Sequence, residues 1–267
     1  MNTFGTVGRI LLAIGLVSLG LEHIVTGNFP MALFPFPAQF PGRSVVVLTL
    51  GLALITAGVC IGLLRKASVA AFGLGLLFLL SALCLHVPPL LTNIYNGSAW
   101  TVFGELLAFS GGTFYGAGHL AQDFPTTLQN KLRLSAVGNL LFSVSLLIFG
   151  ILHFVYASYI ATLIPSWIPA PLFWAYFVGV AFVGTAISLV VNWQRTLSTG
   201  LLGLMFLLWV VVLHAPRVIR SPQTEPEWTS LLVALVMSGI AFILAGSNRP
   251  KTAAIRVDTL PLTERSE

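Results

Sequence analysis

Long apolar segments occupy most of this chain and constrain its fold more than any other feature. A helix needs ~20 mostly apolar residues to cross the hydrocarbon core of a bilayer. Eight segments meet this requirement, at about 7–25, 45–64, 69–87, 100–118, 134–156, 172–192, 197–214 and 228–246. Only 8% of the residues are charged and 57% are hydrophobic, whereas soluble domains carry roughly 25% charged residues. We therefore predict an all-α integral membrane protein with eight transmembrane helices.

The two halves of the chain share a pattern of glycine, histidine, proline and tryptophan positions. At an offset of 130 residues the first half matches the second at Gly8/Gly138, Gly20/Gly150, His23/His153, Pro35/Pro165 and Pro41/Pro171. At an offset of 128 it matches at Gly75/Gly203, His86/His214, Pro88/Pro216, Trp100/Trp228, Gly111/Gly239 and Gly118/Gly246. A loop shortened by two residues would account for the change of offset. We interpret the chain as a tandem duplication.

The duplication predicts a domain organisation. Residues 1–118 and 134–246 form the two units, 119–133 form a cytoplasmic linker, and 247–267 form a disordered cytoplasmic tail. Each unit has an even number of spans, so both have the same orientation in the membrane. The expected architecture is two tandem four-helix bundles related by a pseudo-twofold axis along the membrane normal.

The lysine and arginine positions predict the orientation. With eight spans, ten of the 13 basic residues fall on one side, namely Arg9, Arg65, Lys66, Lys131, Arg133, Arg195, Arg249, Lys251, Arg256 and Arg265. The other side has Arg43, Arg217 and Arg220. Cytoplasmic loops carry the excess of such residues, so both termini are predicted to be cytoplasmic, in the inner (plasma) membrane. The basic residues lie in short loops and the tail, and this pattern does not indicate a nucleic-acid partner.

Polar side chains in the spans are concentrated in the predicted outer half. The candidate ligand-binding residues are Glu22, His23, His86 and Glu105 in the first unit, with His153 and His214 in the second. Leu152 and Val233 replace the two carboxylates in the second unit. Polar groups inside a membrane are costly and support a functional hypothesis. Two outer loops rich in proline and aromatic residues, 27–42 and 157–171, are expected to lie on or dip into the outer leaflet above this site.

The four histidines have three interpretations. They could be haem or metal ligands if His23 met His86 and His153 met His214, although no His-x3-His or Cys-His spacing supports this and no metal site is predicted. They could carry protons or bind quinone beside Glu22 and Glu105. They could also simply lie at the C-terminal ends of helices, where the carbonyl dipoles favour them. Glu105 is expected to be protonated or to pair with His86 or His23.

Several features together resemble the DoxX-like membrane proteins over about residues 5–246. They are Gly150-Ile151-Leu152-His153-Phe154, the loop Ile164-Pro165-Ser166-Trp167-Ile168-Pro169, a basic turn such as Arg65-Lys66 or Gln194-Arg195, and a third span ending near a histidine. Relatives in that family include the small subunit of a thiosulfate:quinone oxidoreductase, so the resemblance implies a redox-associated role. The family supplies no defined catalytic residues. This chain differs from its usual single four-span unit by being duplicated.

These observations predict an accessory or redox-associated membrane component that binds quinone or another apolar small molecule in an outer-leaflet pocket. The expected partners are the lipid bilayer, that apolar molecule and a membrane oxidoreductase subunit. The alternatives are a small-molecule transporter or permease, and a non-catalytic scaffold for a membrane partner subunit. The sequence does not determine whether the protein catalyses a reaction.

Overall fold

The computed structural model describes residues 2–28, 33–35, 39–120 and 127–247, and every regular element in these ranges is a helix. The α-helices in chain order are α1 (Thr3–Thr26), α2 (Arg43–Gly62), α3 (Ala67–Ser81), α4 (Val87–Thr92), α5 (Gly97–His119), α6 (Leu128–Val155), α7 (Ala157–Leu163), α8 (Pro171–Val191), α9 (Arg195–Trp209), α10 (Ala215–Arg220) and α11 (Glu225–Gly246). Two π-helical segments, Ala82–His86 and Val210–His214, join α3 to α4 and α9 to α10. The prediction of an all-α protein is confirmed.

Within the described residues, seven helices are long and apolar enough to cross a membrane, as expected of a multi-pass membrane protein. They are Thr3–Thr26, Arg43–Gly62, Ala67–Thr92, Leu128–Val155, Pro171–Val191, Arg195–Arg220 and Glu225–Gly246. The predicted span at 100–118 coincides with α5, which has 23 residues. Its glycines, hydroxyl side chains and Glu105 lower its hydropathy. From Gly104 to Ala117 every residue of α5 except Glu105 is buried, so this helix faces other helices more than lipid.

The most extensive helix–helix interfaces join the two halves of the chain. They are the interfaces of α5 with α6 and of α1 with α11. Within the halves, α1 packs on α2, α3 on α5, α6 on α8 and α9 on α11, while α5 also contacts α11 at the centre. Residues 121–126 of the predicted linker and 248–267 of the predicted tail lie outside the described residues. The domain boundaries therefore stay a prediction.

Glycines bring the backbones together at both large interfaces. A Cβ atom added to Gly8 would lie 2.6 Å from the carbonyl oxygen of Gly239, and one added to Gly111 would lie 2.7 Å from the carbonyl oxygen of Gly138. Real Cβ atoms do not approach backbone oxygens so closely. The helix crossings at Gly8/Gly239 and at Gly111/Gly138 therefore require glycine. Small residues at membrane helix contacts generally permit such a close approach of the two backbones.

His86 and His214 do not end their helices, contrary to the sequence prediction. The helix that contains His86 continues to Thr92, and the one that contains His214 continues to Arg220. Pro88 and Pro216 each follow a histidine by two residues. Proline lacks an N–H and its ring clashes with the carbonyl four residues earlier. A π-helical turn accommodates this clash and lets the helix continue.

Candidate functional site

The six predicted site residues lie toward one end of the bundle, which we call the histidine end. It is the end at which α1 finishes and α2 and α11 begin. Arg43 at the start of α2 donates a hydrogen bond to Asn28 beyond α1, with the two atoms 2.5 Å apart. Glu22 near the end of α1 contacts Thr229 near the start of α11. The six residues do not form one cluster there; they divide into two histidine sites and two separate carboxylates.

The first-half site consists of His23, His86, Leu33 and Phe34. The Nε2 atom of His86 donates to the carbonyl oxygen of Leu33 at 2.9 Å. The His23 ring packs edge-to-face on Phe34, with the ring centroids 5.8 Å apart. All four residues are buried, and Leu33 and Phe34 are only 1% and 2% exposed. Leu33 and Phe34 of the first loop are thus packed inside the protein, and the expected position of the loops at the outer leaflet stays a prediction.

The second-half site consists of His153, His214, Trp209 and Leu163. The His153 ring stacks on Trp209, with the centroids 6.3 Å apart, and its Nδ1 atom donates to the carbonyl of Phe149 at 2.8 Å. His214 makes no hydrogen bond within the described part of the chain, and its Nδ1 atom is buried. The carbonyl oxygen of Leu163 instead accepts from Nη2 of Arg217 at 2.6 Å.

Glu22 belongs to the interface between α1 and α11. Its Oε1 atom accepts from the hydroxyl of Thr229 at 2.9 Å. The same hydroxyl lies 3.3 Å from Oε1 of Glu225, so its single hydrogen serves one carboxylate at a time. The Oε2 atom of Glu22 is buried without a hydrogen-bond partner. The first-half carboxylate is therefore held by a residue of the second half.

Glu105 lies on the face of α5 that is directed at α11. Gly112, seven residues later and hence on the same helix face, is in close contact with Ile240 of α11, whose Cγ2 atom would lie 2.3 Å from an added Cβ. Glu105 is partly buried and makes no hydrogen bond in the ranges that the structure describes. The predicted pairing with His86 or His23 is wrong, because no hydrogen bond or ion pair joins Glu105 to either ring; those rings bond to the carbonyls of Leu33 and Leu19.

The arrangement does not resemble a metal centre. No group of three or more histidine, cysteine or acidic side chains within the described ranges could hold a metal ion. No hydrogen bond or ring contact joins His23 to His86 or His153 to His214. What the site offers is a set of hydrogen-bonding groups, each next to apolar or aromatic side chains.

Sequence reasoning did not identify four residues that shape the two histidine sites: Leu33, Phe34, Trp209 and Arg217. Phe34 and Leu33 are ordinary apolar residues of a loop, and their burial is not visible in the sequence. Arg217 did carry a signal, since it is one of three basic residues on the predicted outer side. It occupies the position that Pro89 holds in the first half, at the same offset as Pro88 and Pro216.

A family model described as a domain of unknown function, DUF8561, matches residues 142–253. The matched region starts inside α6 and includes α11, so it corresponds to most of the second half and less than half of the chain. No curated protein and no solved structure matches the chain. The resemblance to the DoxX-like proteins stays a prediction.

Proposed function

We propose that the chain is a two-repeat, eight-span membrane protein whose halves are related by a pseudo-twofold axis along the membrane normal. Matched contacts support this. The Gly8/Gly239 crossing and the Gly138/Gly111 crossing use equivalent positions of opposite halves. The hydroxyl of Ser110 donates to the carbonyl of Gly75 at 2.9 Å, and the equivalent Ser238 donates to Gly203 at 2.8 Å.

The contact between Gly112 and Ile240 adds independent support for the axis. These two residues occupy equivalent positions, since their numbers differ by 128. A residue meets its own equivalent only on a twofold axis, and this contact lies between the central helices α5 and α11.

The same proposal includes an inner-membrane location with both termini in the cytoplasm. Arg9 donates to the carbonyl of Gly62, and Gly62 lies at the end of α2, close to Arg65 and Lys66. Of the described basic residues, six thus lie at the end opposite to the histidine end, namely Arg9, Arg65, Lys66, Lys131, Arg133 and Arg195, whereas Arg43, Arg217 and Arg220 lie at the histidine end. The excess of basic residues on cytoplasmic loops then assigns the histidine end to the outer leaflet.

We further propose that the protein binds an apolar small molecule with a hydrogen-bonding head group, of the quinone class, at the histidine end. In this role it would be an accessory component of membrane redox chemistry, as the DoxX-like resemblance implies. The observation that carries the proposal is the pair of buried polar atoms without hydrogen-bond partners there, Oε2 of Glu22 and Nδ1 of His214. The partly buried Glu105 carboxyl also makes no hydrogen bond within the described residues. A buried polar group without a partner costs about 1–3 kcal/mol, and a bound head group would remove that cost.

The central packing favours binding over transport. At Gly112 and Ile240 the two central helices are too close for an added methyl group. A path for a small molecule along the axis of the bundle is therefore closed at this level. A transporter would need α5 and α11 to separate there.

Equilibrium dialysis of the purified protein in lipid nanodiscs tests the proposal. The probes are 1,4-naphthoquinone and naphthalene, which have the same ring skeleton but differ in the two carbonyl groups. Empty nanodiscs of the same lipid measure simple partitioning. We expect saturable uptake of naphthoquinone above that baseline and none for naphthalene. Equal, non-saturable uptake of both compounds would refute the proposed function.

A further inference from the structure

We propose that the ligand occupies only the second-half site, at His153, Trp209 and His214, and that the chain's own Leu33 and Phe34 fill the equivalent first-half site. This inference rests on the proposed function and specifies where the ligand binds and how it is held. It follows from comparing equivalent residues that make different contacts in the two halves.

The first-half site already holds an internal occupant. Leu33 presents a carbonyl oxygen to His86, 2.9 Å from Nε2. Phe34 presents an aromatic ring to His23. Leu33 and Phe34 are almost fully buried, so both are packed into this site. The loop segment therefore occupies the position that a ligand could otherwise take.

The second-half site lacks that occupant. Leu163 is equivalent to Leu33 but is 38% exposed, and its carbonyl bonds to Arg217 instead of a histidine. Ile164 replaces Phe34 and provides no aromatic ring. His214, equivalent to His86, is consequently left without a hydrogen-bond partner within the described residues. It is also more accessible than His86, which is buried.

Two substitutions between the halves explain the difference. Arg217 stands where the first half has Pro89, and its guanidinium donates to the Leu163 carbonyl, the group equivalent to the one that His86 binds in the first half. Trp209 stands where the first half has Ser81, and its indole stacks on His153. The second-half site thus keeps a hydrogen-bonding histidine and an aromatic surface, but no segment of the described chain covers them.

The internal occupant indicates the chemistry of the missing ligand. Leu33 and Phe34 offer a carbonyl acceptor close to a flat aromatic ring. A neutral imidazole always carries one N–H, so His214 can donate to a ligand carbonyl as His86 donates to Leu33. The ring of that ligand would pack against Trp209 and His153 by offset stacking or edge-to-face contact. A quinone combines a ring carbonyl with a flat apolar body.

Tryptophan fluorescence can report on this site alone. In a variant that keeps Trp209, with Trp100, Trp167, Trp174, Trp193 and Trp228 replaced by phenylalanine, 1,4-naphthoquinone should quench the remaining emission saturably. The half-saturation point should agree with the dissociation constant from dialysis. Quenching that grows linearly with the quinone concentration would place the bound ligand away from Trp209 and contradict the inference.

Matched histidine variants test the hydrogen bond. His214→Ala should weaken naphthoquinone binding roughly tenfold, the equivalent of about 1.4 kcal/mol. His86→Ala, at the equivalent position of the first half, should leave the dissociation constant within about twofold. Circular dichroism and thermal unfolding confirm that each variant is folded. If either protein does not fold, His214→Phe and His86→Phe provide the same comparison.

Converting the second-half site to the first-half sequence gives an independent test. The double variant Ile164→Phe, Arg217→Pro should let the loop fill the site, and binding should be lost without a loss of thermal stability. Retained binding in this variant would overturn the inference.

Absence of binding in the unmodified protein overturns the proposed function itself. Binding that is lost with His86→Ala but not with His214→Ala refutes only the assignment to the second half.

Discussion

Single residues differ between the two halves of the chain at positions that the proposed repeat makes equivalent. Glu105 of α5 is replaced by Val233 in α11, and Glu22 of α1 is replaced by Leu152 in α6. Val233 and Leu152 are buried and apolar, and the helices that carry them make the same crossings as their counterparts. The two carboxylates are therefore dispensable for the helix packing. A carboxyl among apolar side chains is costly, and this cost is the basis for the proposal that both carboxylates take part in ligand binding.

Glu105→Val should stabilise the protein. The change removes a carboxyl that has no partner within the described ranges and installs the residue found at the equivalent position. We expect the free energy of unfolding to rise by about 1–3 kcal/mol, measured by thermal unfolding in detergent with circular dichroism.

The reciprocal change Val233→Glu is the matched control. It should lower the stability by at least as much, because Val233 is only 7% exposed and burying a carboxyl group at an apolar position is costly. A loss of stability in Glu105→Val would show that the carboxylate makes a stabilising interaction and would remove the physical basis for assigning it to a ligand.

At the level of helices, glycine decides which pairs come close enough for backbone contact. α5 meets α6 at Gly111 and Gly138, and α1 meets α11 at Gly8 and Gly239. Without a hydrophobic driving force between helices in lipid, such close van der Waals contact is a main source of association. The two interfaces between the halves therefore depend strongly on these glycines.

Gly111→Ala should lower the free energy of unfolding by about 1–3 kcal/mol, because the added methyl group overpacks a rigid backbone contact. The equivalent Gly239→Ala should have a similar effect. Unfolding by sodium dodecyl sulfate in mixed micelles measures both.

Gly73→Ala is the control for this pair. An added Cβ at Gly73 meets nothing within 4 Å, and alanine favours helix over glycine by about 1 kcal/mol. This variant should be neutral or slightly more stable. If Gly111→Ala were as harmless as Gly73→Ala, the crossing would not be as close as described.

At the level of the whole molecule, the two halves should have the same orientation in the membrane. Lys66 and Gln194 occupy equivalent turns, and both adopt left-handed backbone conformations, with φ of 55° and 49°. Tyr95 and Gln223 occupy the equivalent turns at the histidine end. A pseudo-twofold axis along the membrane normal puts each pair on one side of the membrane, whereas an inverted repeat would separate them.

Cysteine labelling tests this orientation. In a background without Cys60 and Cys84, a membrane-impermeant maleimide added to intact cells should label Tyr95→Cys and Gln223→Cys. It should label Lys66→Cys and Gln194→Cys only after the membrane is opened. Labelling of one member of a pair from the outside and the other from the inside would exclude the proposed axis.

The sequence by itself determined the helices, and it is the basis of the proposed correspondence between the halves. Apolar segments of sufficient length predict helices at nearly the observed positions, because the cost of placing each side chain in an apolar environment adds up along the chain. α5 shows the limit of this approach, since its hydropathy is low although it is a central helix. Gly111 and Gly239 lie at close helix crossings, and small residues are typical of such contacts between membrane helices.

The tertiary structure alone decided how the polar groups are partnered. His86 and His214 are equivalent in the sequence, yet one bonds to Leu33 and the other has no partner within the described ranges. Glu22 is held by Thr229, which is 207 residues away in the chain. A hydrogen bond depends on which groups come within about 3 Å of each other. Which groups meet depends on how distant segments such as the loop at Leu33 pack, and no local sequence pattern indicates it.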